Sequence, residues 1–414
     1  MKSLILLIFL FIAVEVQAQP QWVIYTQFNS GLPSNLTGTI LIDSNNVKWI
    51  TTANGLAKLQ GNNWTVFDTT NSGMPSNRCY SIAKDKQNNL WITLSDFGLV
   101  KYDGINWTVY NEENIGFSIK SITNVCIDSL NIKWIGYAGG LLKYNDTVWT
   151  RYHKGNSGIP GNGVYSIICE NSVLWVGTVD AGVGRFDGQS WTIYNYSNSG
   201  LPSNWVYGIS KDIYNNIWFA TRFGGAAKFN YNLNQWTVYN TGNSGIPSNY
   251  VLNVYADNNN VKWIGMYEHL AIFNDTTWQV FSYPFISAVL NFAKDRHGNM
   301  WICTSGGLYV YNPAGVVGVE NNSAKVIDDF ELLQNYPNPF NQFSIIQFQV
   351  ASSKFIKLVV YDLLGREVKT LVNEYKQPGT YQVSFNAEGL SSGVYFYRMT
   401  AGDFSETKKL VLMK

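Results

Sequence analysis

Along most of the chain, short runs of apolar and β-branched residues alternate with polar turns rich in Asn, Asp, Gly and Ser. One unit, Asn71 to Asn111, shows the pattern. Asn71-Ser72-Gly73-Met74-Pro75-Ser76-Asn77 reads as a loop, because Gly supplies positive φ and Pro presets φ. Cys79 to Lys84 predicts an inner strand, Asp85 to Asn89 a turn, and Leu90 to Leu94 a second strand. Gly98 to Tyr102 predicts a third strand. Asp103-Gly104 is a hairpin signal, and Trp107 to Tyr110 completes the unit as an outer strand.

The unit repeats. Fourteen of the fifteen tryptophans fall into two interleaved ladders of seven rungs each. Trp49, Trp91, Trp134, Trp175, Trp218, Trp263 and Trp301 sit in the second strands. Trp22, Trp64, Trp107, Trp149, Trp191, Trp236 and Trp278 sit in the outer strands. A spacing of 38 to 45 residues between successive rungs, with four strands per period, is the signature of a β-propeller blade. Seven rungs predict seven blades. The last blade lacks a Trp-Thr-Val-Tyr segment after Gly307 to Tyr311, whereas Gln21-Trp22-Val23-Ile24-Tyr25 at the other end belongs to no blade. The N-terminal strand is therefore expected to complete the last blade.

At repeat-invariant positions the tryptophans are expected to pack neighbouring blades together, since each ring buries about 150–250 Å², rather than to serve as sugar platforms. Trp205 lies outside both ladders, just after a loop where Tyr250 is the corresponding aromatic, and core packing is one reading of it. Five loops share one sequence: Asn29 to Asn35, Asn71 to Asn77, Asn156 to Asn162, Asn198 to Asn204 and Asn243 to Asn249. Those near Asn114 and Phe281 depart from it. Asp43, Asp85, Asp128, Asp212, Asp257 and Asp295 each precede a second-strand Trp by six residues, with Glu170 in the fourth unit. A carboxylate so placed invites a calcium reading. An Asp that opens a tight turn and accepts a local backbone N–H accounts for it without metal.

The chain has 414 residues, and its 14% charged against 15% aromatic content is that of a compact β-rich protein. A net charge of +1 gives no electrostatic case for nucleic acid or an anionic membrane. Residues 1–18 read as a signal peptide: Lys2, an apolar stretch from Leu4 to Val14, and Val16-Gln17-Ala18 before a cleavage between Ala18 and Gln19. No segment is expected to span a membrane as a helix in the mature chain. Cys79, Cys126, Cys169 and Cys303 stand at positions that look unrelated within the repeat. Export permits disulfides, yet the residues read as small buried hydrophobes.

The pattern Pro-Ser-Asn, a Val/Ile-rich strand, Asp, Asn, Trp-Ile-Gly-Thr and Gly-Gly-Leu resembles the two-component regulator propeller repeats over about residues 20–313. Those repeats form periplasmic sensing heads of bacterial hybrid sensor kinases, many of which detect polysaccharide fragments. The resemblance implies a fold and little about ligand, and this chain carries no kinase. The propeller is expected over 19–313 and a linker over 314–329, where Pro313 and Asn321-Asn322-Ser323 break the pattern.

From 330 to 414 a small β-sandwich is expected, with strand-like runs Phe343 to Val350, Ile356 to Asp362, Glu367 to Val372, Thr380 to Phe385, Gly393 to Thr400 and Glu406 to Met413. Asn335-Tyr336-Pro337-Asn338-Pro339-Phe340-Asn341, Val360-Tyr361-Asp362-Leu363-Leu364-Gly365-Arg366, Gly389-Leu390-Ser391-Ser392-Gly393-Val394-Tyr395 and Lys408-Lys409-Leu410-Val411-Leu412 resemble the type A C-terminal sorting domain of type IX secretion. The family often has Pro where Gln342 stands. The resemblance implies passage through the type IX machinery, via the periplasm, to release or attachment at the outer-membrane surface.

No Gly-x-Ser-x-Gly, His-Glu-x-x-His, Walker or Cys-x-x-Cys motif is present, and no cofactor or metal is implied. The repeats diverge most in the loop between strands two and three, which emerges at the same end as the loop after strand four. Candidate ligand-binding residues there are Asp96, Phe97, Tyr137, Asp180, Arg222, Phe223, Tyr267, Glu268 and His269. Plain drift on a solvated face would also produce this divergence. His269 replaces the glycine of comparable units (Gly140, Gly307), which predicts local strain. The leading reading is a secreted or cell-surface binding or scaffold propeller with a glycan or peptide ligand. The alternatives are a propeller lyase or hydrolase acting on a glycan or cyclic peptide, with His269 as base, Glu268 or Asp180 assisting and Arg222 stabilising an oxyanion, and a purely structural component.

Overall fold

A computed structural model describes residues 21–170, 173–282, 287–318, 330–350, 354–376 and 379–413. The expected signal peptide with its Ala18–Gln19 cleavage site, and most of the expected linker, lie outside them. Nearly all regular structure is strand.

Residues 21–318 form seven four-stranded antiparallel sheets among the described residues. Blade 1 comprises Thr37–Ile42, Lys48–Thr52, Gly55–Gln60 and Asn63–Phe67; blade 2 comprises Cys79–Lys84, Leu90–Leu94, Gly98–Tyr102 and Trp107–Tyr110. Blades 3 to 6 begin with Ile122–Ile127, Val164–Glu170, Val206–Lys211 and Val251–Ala256. Blade 7 holds Val289–Lys294, Met300–Thr304 and Gly307–Tyr311, and its fourth strand is Trp22–Tyr25. Trp22 pairs with Tyr311 and Tyr25 with Leu308, as the unmatched outer strand requires. The first strands of neighbouring blades touch one another all the way round, including blade 7 against blade 1. The structure is a closed seven-bladed propeller.

The two tryptophan ladders do different work. Those of the second strands are buried, from 0% to 9% exposed. Those of the outer strands are half-buried, and all but Trp64, which pairs with Leu59, pack against a strand-three aromatic of their own blade, as Trp107 does on Tyr102 with centroids 4.3 Å apart. Most also meet the outer-strand aromatic of the preceding blade, for example Trp149 with Tyr110 at 5.7 Å. The loop glycines close over them. A Cβ at Gly31 would lie 2.3 Å from Cβ of Trp64, and one at Gly200 would lie 2.4 Å from Cβ of Trp236.

The asparagines of the shared loop hold it shut. Asn71 accepts from the Asp68 amide and donates to the Val66 carbonyl, while Asn77 accepts from the Thr69 amide. The blade 2 to blade 3 connection, which departs in sequence, forms a short helix, Glu112–Ile115, yet Asn114 keeps the same two bonds, to the Asn111 amide and the Val109 carbonyl.

The repeated Asp does more than open a turn. Oδ1 of Asp85 accepts from the amides of Gln87 and Asn89, and Oδ2 accepts from Asn89 Nδ2 and from Trp91 Nε1 at 2.9 Å. Asp128, Asp212, Asp257 and Asp295 hold their own indoles in the same way. Six residues separate acid and indole because the turn brings the second strand back beside its start.

One expectation needs correcting. Cys126 and Cys169 form a disulfide, 43 residues apart. That separation is one blade period, so the two thiols lie on the first strands of adjacent blades, which are neighbours in the ring. Cys79 and Cys303 are buried thiols, and burial pushes both up to about 12.

The chain leaving blade 7 stays packed for several residues. Val316 is buried with Trp301 and Val310, and Asn299 bonds the backbone of Val317, so the stretch expected to be linker from 314 starts within the propeller's packing.

Residues 330–413 form a separate unit of two sheets. One has three strands, Glu331–Leu332, Phe343–Val350 and Gly379–Asn386; the other runs Glu367–Lys376, Lys354–Tyr361, Gly393–Ala401 and Phe404–Leu412. Phe340, Phe348, Leu358, Phe385, Tyr397 and Leu410 fill the space between them. The Asn-Tyr-Pro-Asn-Pro-Phe segment zips onto the last strand. Phe340 donates to the Val411 carbonyl, Met413 donates to the Phe340 carbonyl, and the Val411 amide donates to Asn338 Oδ1.

Candidate functional site

The first strands of blades 2, 4 and 5 each carry a β-bulge at their start, where the register shifts between Cys79 and Ser81, Val164 and Ser166, and Val206 and Gly208. Cys79, Val164 and Val206 are buried in the blades, and the extra residue of each bulge, Tyr80, Tyr165 or Tyr207, leaves the ladder and faces the axis. They line a channel of about 300 Å³ to which all seven first strands contribute. Tyr250, just before the first strand of blade 6, joins them. The rest of the lining is neutral: Thr39, Thr123, Asn124, Asn253 and Asn291 are polar, and Val179, Leu252 and Leu290 are apolar.

The four tyrosines form a connected wall. Tyr80 donates to the Tyr165 hydroxyl at 2.9 Å, Tyr165 and Tyr207 have ring centroids 5.1 Å apart, and the Tyr207 and Tyr250 hydroxyls are 3.5 Å apart. Burial, and after it the neighbouring Tyr165, pushes the Tyr80 phenol well above its ordinary range. Burial and the hydrogen bond with Tyr250 push Tyr207 up to about 12, against an opposing pull from Arg222. Both hydroxyls are therefore neutral donors and acceptors at any physiological pH.

The wall continues to the rim. Arg222, just past the second strand of blade 5, has its guanidinium carbon 4.3 Å from the ring centre of Trp205, 4.8 Å from Phe223 and 5.5 Å from Tyr250. Phe223 meets Tyr250 edge-on at 5.4 Å. Trp205 is 39% exposed and Phe223 69%, so Trp205 is a rim residue and not core. Beside the channel, a second hollow of about 370 Å³ is bordered by Leu36, Ala53, Arg78 and Ser95, and it shares Gly38, Tyr80 and Leu290 with the channel.

The remaining sequence candidates fall into three groups. Asp96 is exposed, accepts from Ser76 Oγ at 2.7 Å and faces Arg78 at 3.9 Å; Phe97 beside it and Asp180 on blade 4 are also exposed. Tyr137 is out of reach of any ligand. It is 4% exposed, part of the core between blades 2 and 3, because it ends its strand pointing into the blade.

Tyr267 and Glu268 are exposed, and His269 hydrogen-bonds the Ser282 hydroxyl through Nδ1 at 3.0 Å. The strain expected at His269 is absent. Glu268 takes the left-handed conformation instead, with φ +61°. Among the described residues, no hydrogen bond or ring contact joins this turn to Arg222 or Asp180. No group of three or more His, Cys, Asp or Glu placed to hold a metal occurs among the described residues.

The channel tyrosines were the residues that sequence reasoning missed. The available signal was an aromatic three residues after the loop's final Asn in units 2, 4 and 5. It was masked because a strand reading does not say which face of the first strand meets the axis.

The comparisons agree with this architecture. Residues 334–413 match the secretion system C-terminal sorting domain, and residues 73–96 and 200–223 match the two component regulator propeller. No curated protein matches the sequence significantly. Among solved structures, the extracellular domain described as that of a hybrid two component system from B. thetaiotaomicron is similar at 16% identity and a TM-score of 0.63. The match covers 95% of this chain and 57% of that one, so this chain spans little more than half of it. Virginiamycin B lyase from Staphylococcus aureus is similar at 12% identity and a TM-score of 0.56, over 70% of this chain and 97% of that one. YCF48, solved bound to D1 peptide, is similar at 13% identity and a TM-score of 0.52, over 70% and 97%. At such identities the likeness is one of fold.

The sorting domain implies export to the cell surface or secretion, and no helix among the described residues is long and apolar enough to cross a membrane. Family models for the two component regulator propeller and, after it, the secretion system C-terminal sorting domain thus match this chain, in that order along its length.

Proposed function

We propose that this exported surface propeller is a binding protein whose ligand, a glycan or a peptide, enters the tyrosine-lined end of the central channel. The observation that carries the reading is the aromatic wall that runs from Tyr80 through Tyr165, Tyr207 and Tyr250 to Phe223, with Trp205 joined to it through Arg222. Four tyrosine hydroxyls line one hollow and two exposed rings stand at its rim, and pockets of about 300–1,000 Å³ with a few convergent polar groups are the usual form of a ligand site. Rings supply stacking area at low entropic cost, and fixed hydroxyls supply direction.

The test uses the full chain on glycan and peptide arrays, beside a Tyr165→Ala/Tyr207→Ala variant with an unchanged melting profile. Removing both rings is expected to weaken any hit by about tenfold or more, two lost ring contacts at roughly 0.5–1.5 kcal/mol each beyond area burial. A blank array, or hits indifferent to the two tyrosines, would sink the reading.

A further inference from the structure

Resting on that reading, we infer that the ligand is an acidic oligosaccharide and that Arg222 receives the carboxylate of one uronate unit. Arg222 is a cation without a counter-ion among the described residues, and its Nε is buried with no hydrogen-bond partner among them. Three rings flank the guanidinium within 5.5 Å. Their faces attract the charge, but an aromatic face supplies no lone pair for the N–H groups. The two Nη groups, which make no hydrogen bond among the described residues, are left for a bidentate acceptor, and a carboxylate fits their fork.

No described residue of the channel competes for it. Among the described residues the lining contains no Asp or Glu, and Tyr207, the phenol that feels Arg222, stays protonated. The rest of the lining suits a sugar ring better than a peptide side chain. Thr39, Thr123 and Asn124 add hydroxyl and amide groups to the tyrosine hydroxyls, and among the described residues three aliphatic side chains line the channel. The exposed rings of Trp205 and Phe223 stand beside the cation, where a pyranose ring bearing the carboxylate would stack. A uronate joins an apolar ring face to a planar anion in one unit, and the rim holds the complement of both.

The experiment is calorimetric titration of the full chain with a short oligogalacturonate and with the same oligosaccharide after its carboxyl groups are reduced to alcohols. The acidic form is expected to bind at least about tenfold more tightly, with affinity falling as salt is raised. Arg222→Gln is expected to abolish that preference, and Arg222→Lys, which keeps the charge and loses the fork, to retain only part of it. Melting of each variant confirms folding.

Equal binding of the two forms, with loss in the Tyr165→Ala/Tyr207→Ala variant, would overturn the uronate inference and leave the channel reading standing. A tighter grip on a sulfated neutral oligosaccharide or on a peptide C-terminus would overturn it as well. Indifference to both the tyrosine pair and Arg222 would remove the site itself.

Discussion

Replacing Asp85 by Asn tests the internal logic of the blade with a change of a single atom. The carboxylate accepts four hydrogen bonds, two on each oxygen. An amide has one acceptor oxygen and one NH₂ group. In either orientation the NH₂ faces two donors, either two backbone amides or the Trp91 indole and Asn89. Trp91 is fully buried and Asp85 is 5% exposed, so water does not replace what is lost. Hydrogen bonds to a charged group contribute about 1.5–3 kcal/mol each, and two are removed, giving roughly 3–6 kcal/mol. For a domain of this size that corresponds to a fall in Tm of about 6–12 °C.

Differential scanning calorimetry of the full chain at neutral pH reads it, with Asp103→Asn, an exposed turn acid, as the control. The pH dependence follows from the same contacts. Burial raises the Asp85 carboxyl, but bonds from Trp91, Asn89 and Gln87 outweigh it and hold it below the ordinary range. A carboxyl lowered on folding contributes fully above its unfolded value, near 4, and loses that contribution as pH falls further. The gap between wild type and Asp85→Asn should therefore narrow below about pH 4. A Tm within about 2 °C of wild type at pH 7 would refute the four-bond account.

Two further outcomes are expected. Deleting residues 21–25 removes the pairing edge of blade 7 and the buried Val23 and Tyr25, at about 1.5–3 kcal/mol for each side chain, so the calorimetric Tm should drop markedly. An unchanged melt would contradict closure by this strand. Replacing Cys126 and Cys169 by Ser opens a 43-residue loop, which the chain-entropy account values at about 4 kcal/mol. Reductant should lower the wild-type denaturation midpoint and leave the double variant's unchanged, and a midpoint insensitive to reductant would contradict a stabilising bridge.

Much of this molecule is written locally. Blade number, strand order and ring closure follow from a period of about forty residues, because each blade repeats one hairpin code. The Asp-to-Trp spacing was legible as a turn, whereas the bond from acid to indole needed the returning strand. The sandwich strands were legible as well. The clasp between Asn338, Phe340 and Val411 was not, since some seventy residues separate its halves.

The candidate site divides along the same line. Variation among equivalent loops pointed to Arg222 and Phe223, and tertiary structure then withdrew Tyr137, whose ring turns into the blade, and supplied Tyr80, Tyr165, Tyr207 and Trp205. By itself the chain's order of residues determined a seven-bladed ring followed in sequence by an address domain, because turns and strands are set by neighbours in sequence. Only the closed ring decided which tyrosines share an axis, which cysteines meet and which arginine stands without a counter-ion among the described residues, because those relations join residues a whole blade or more apart.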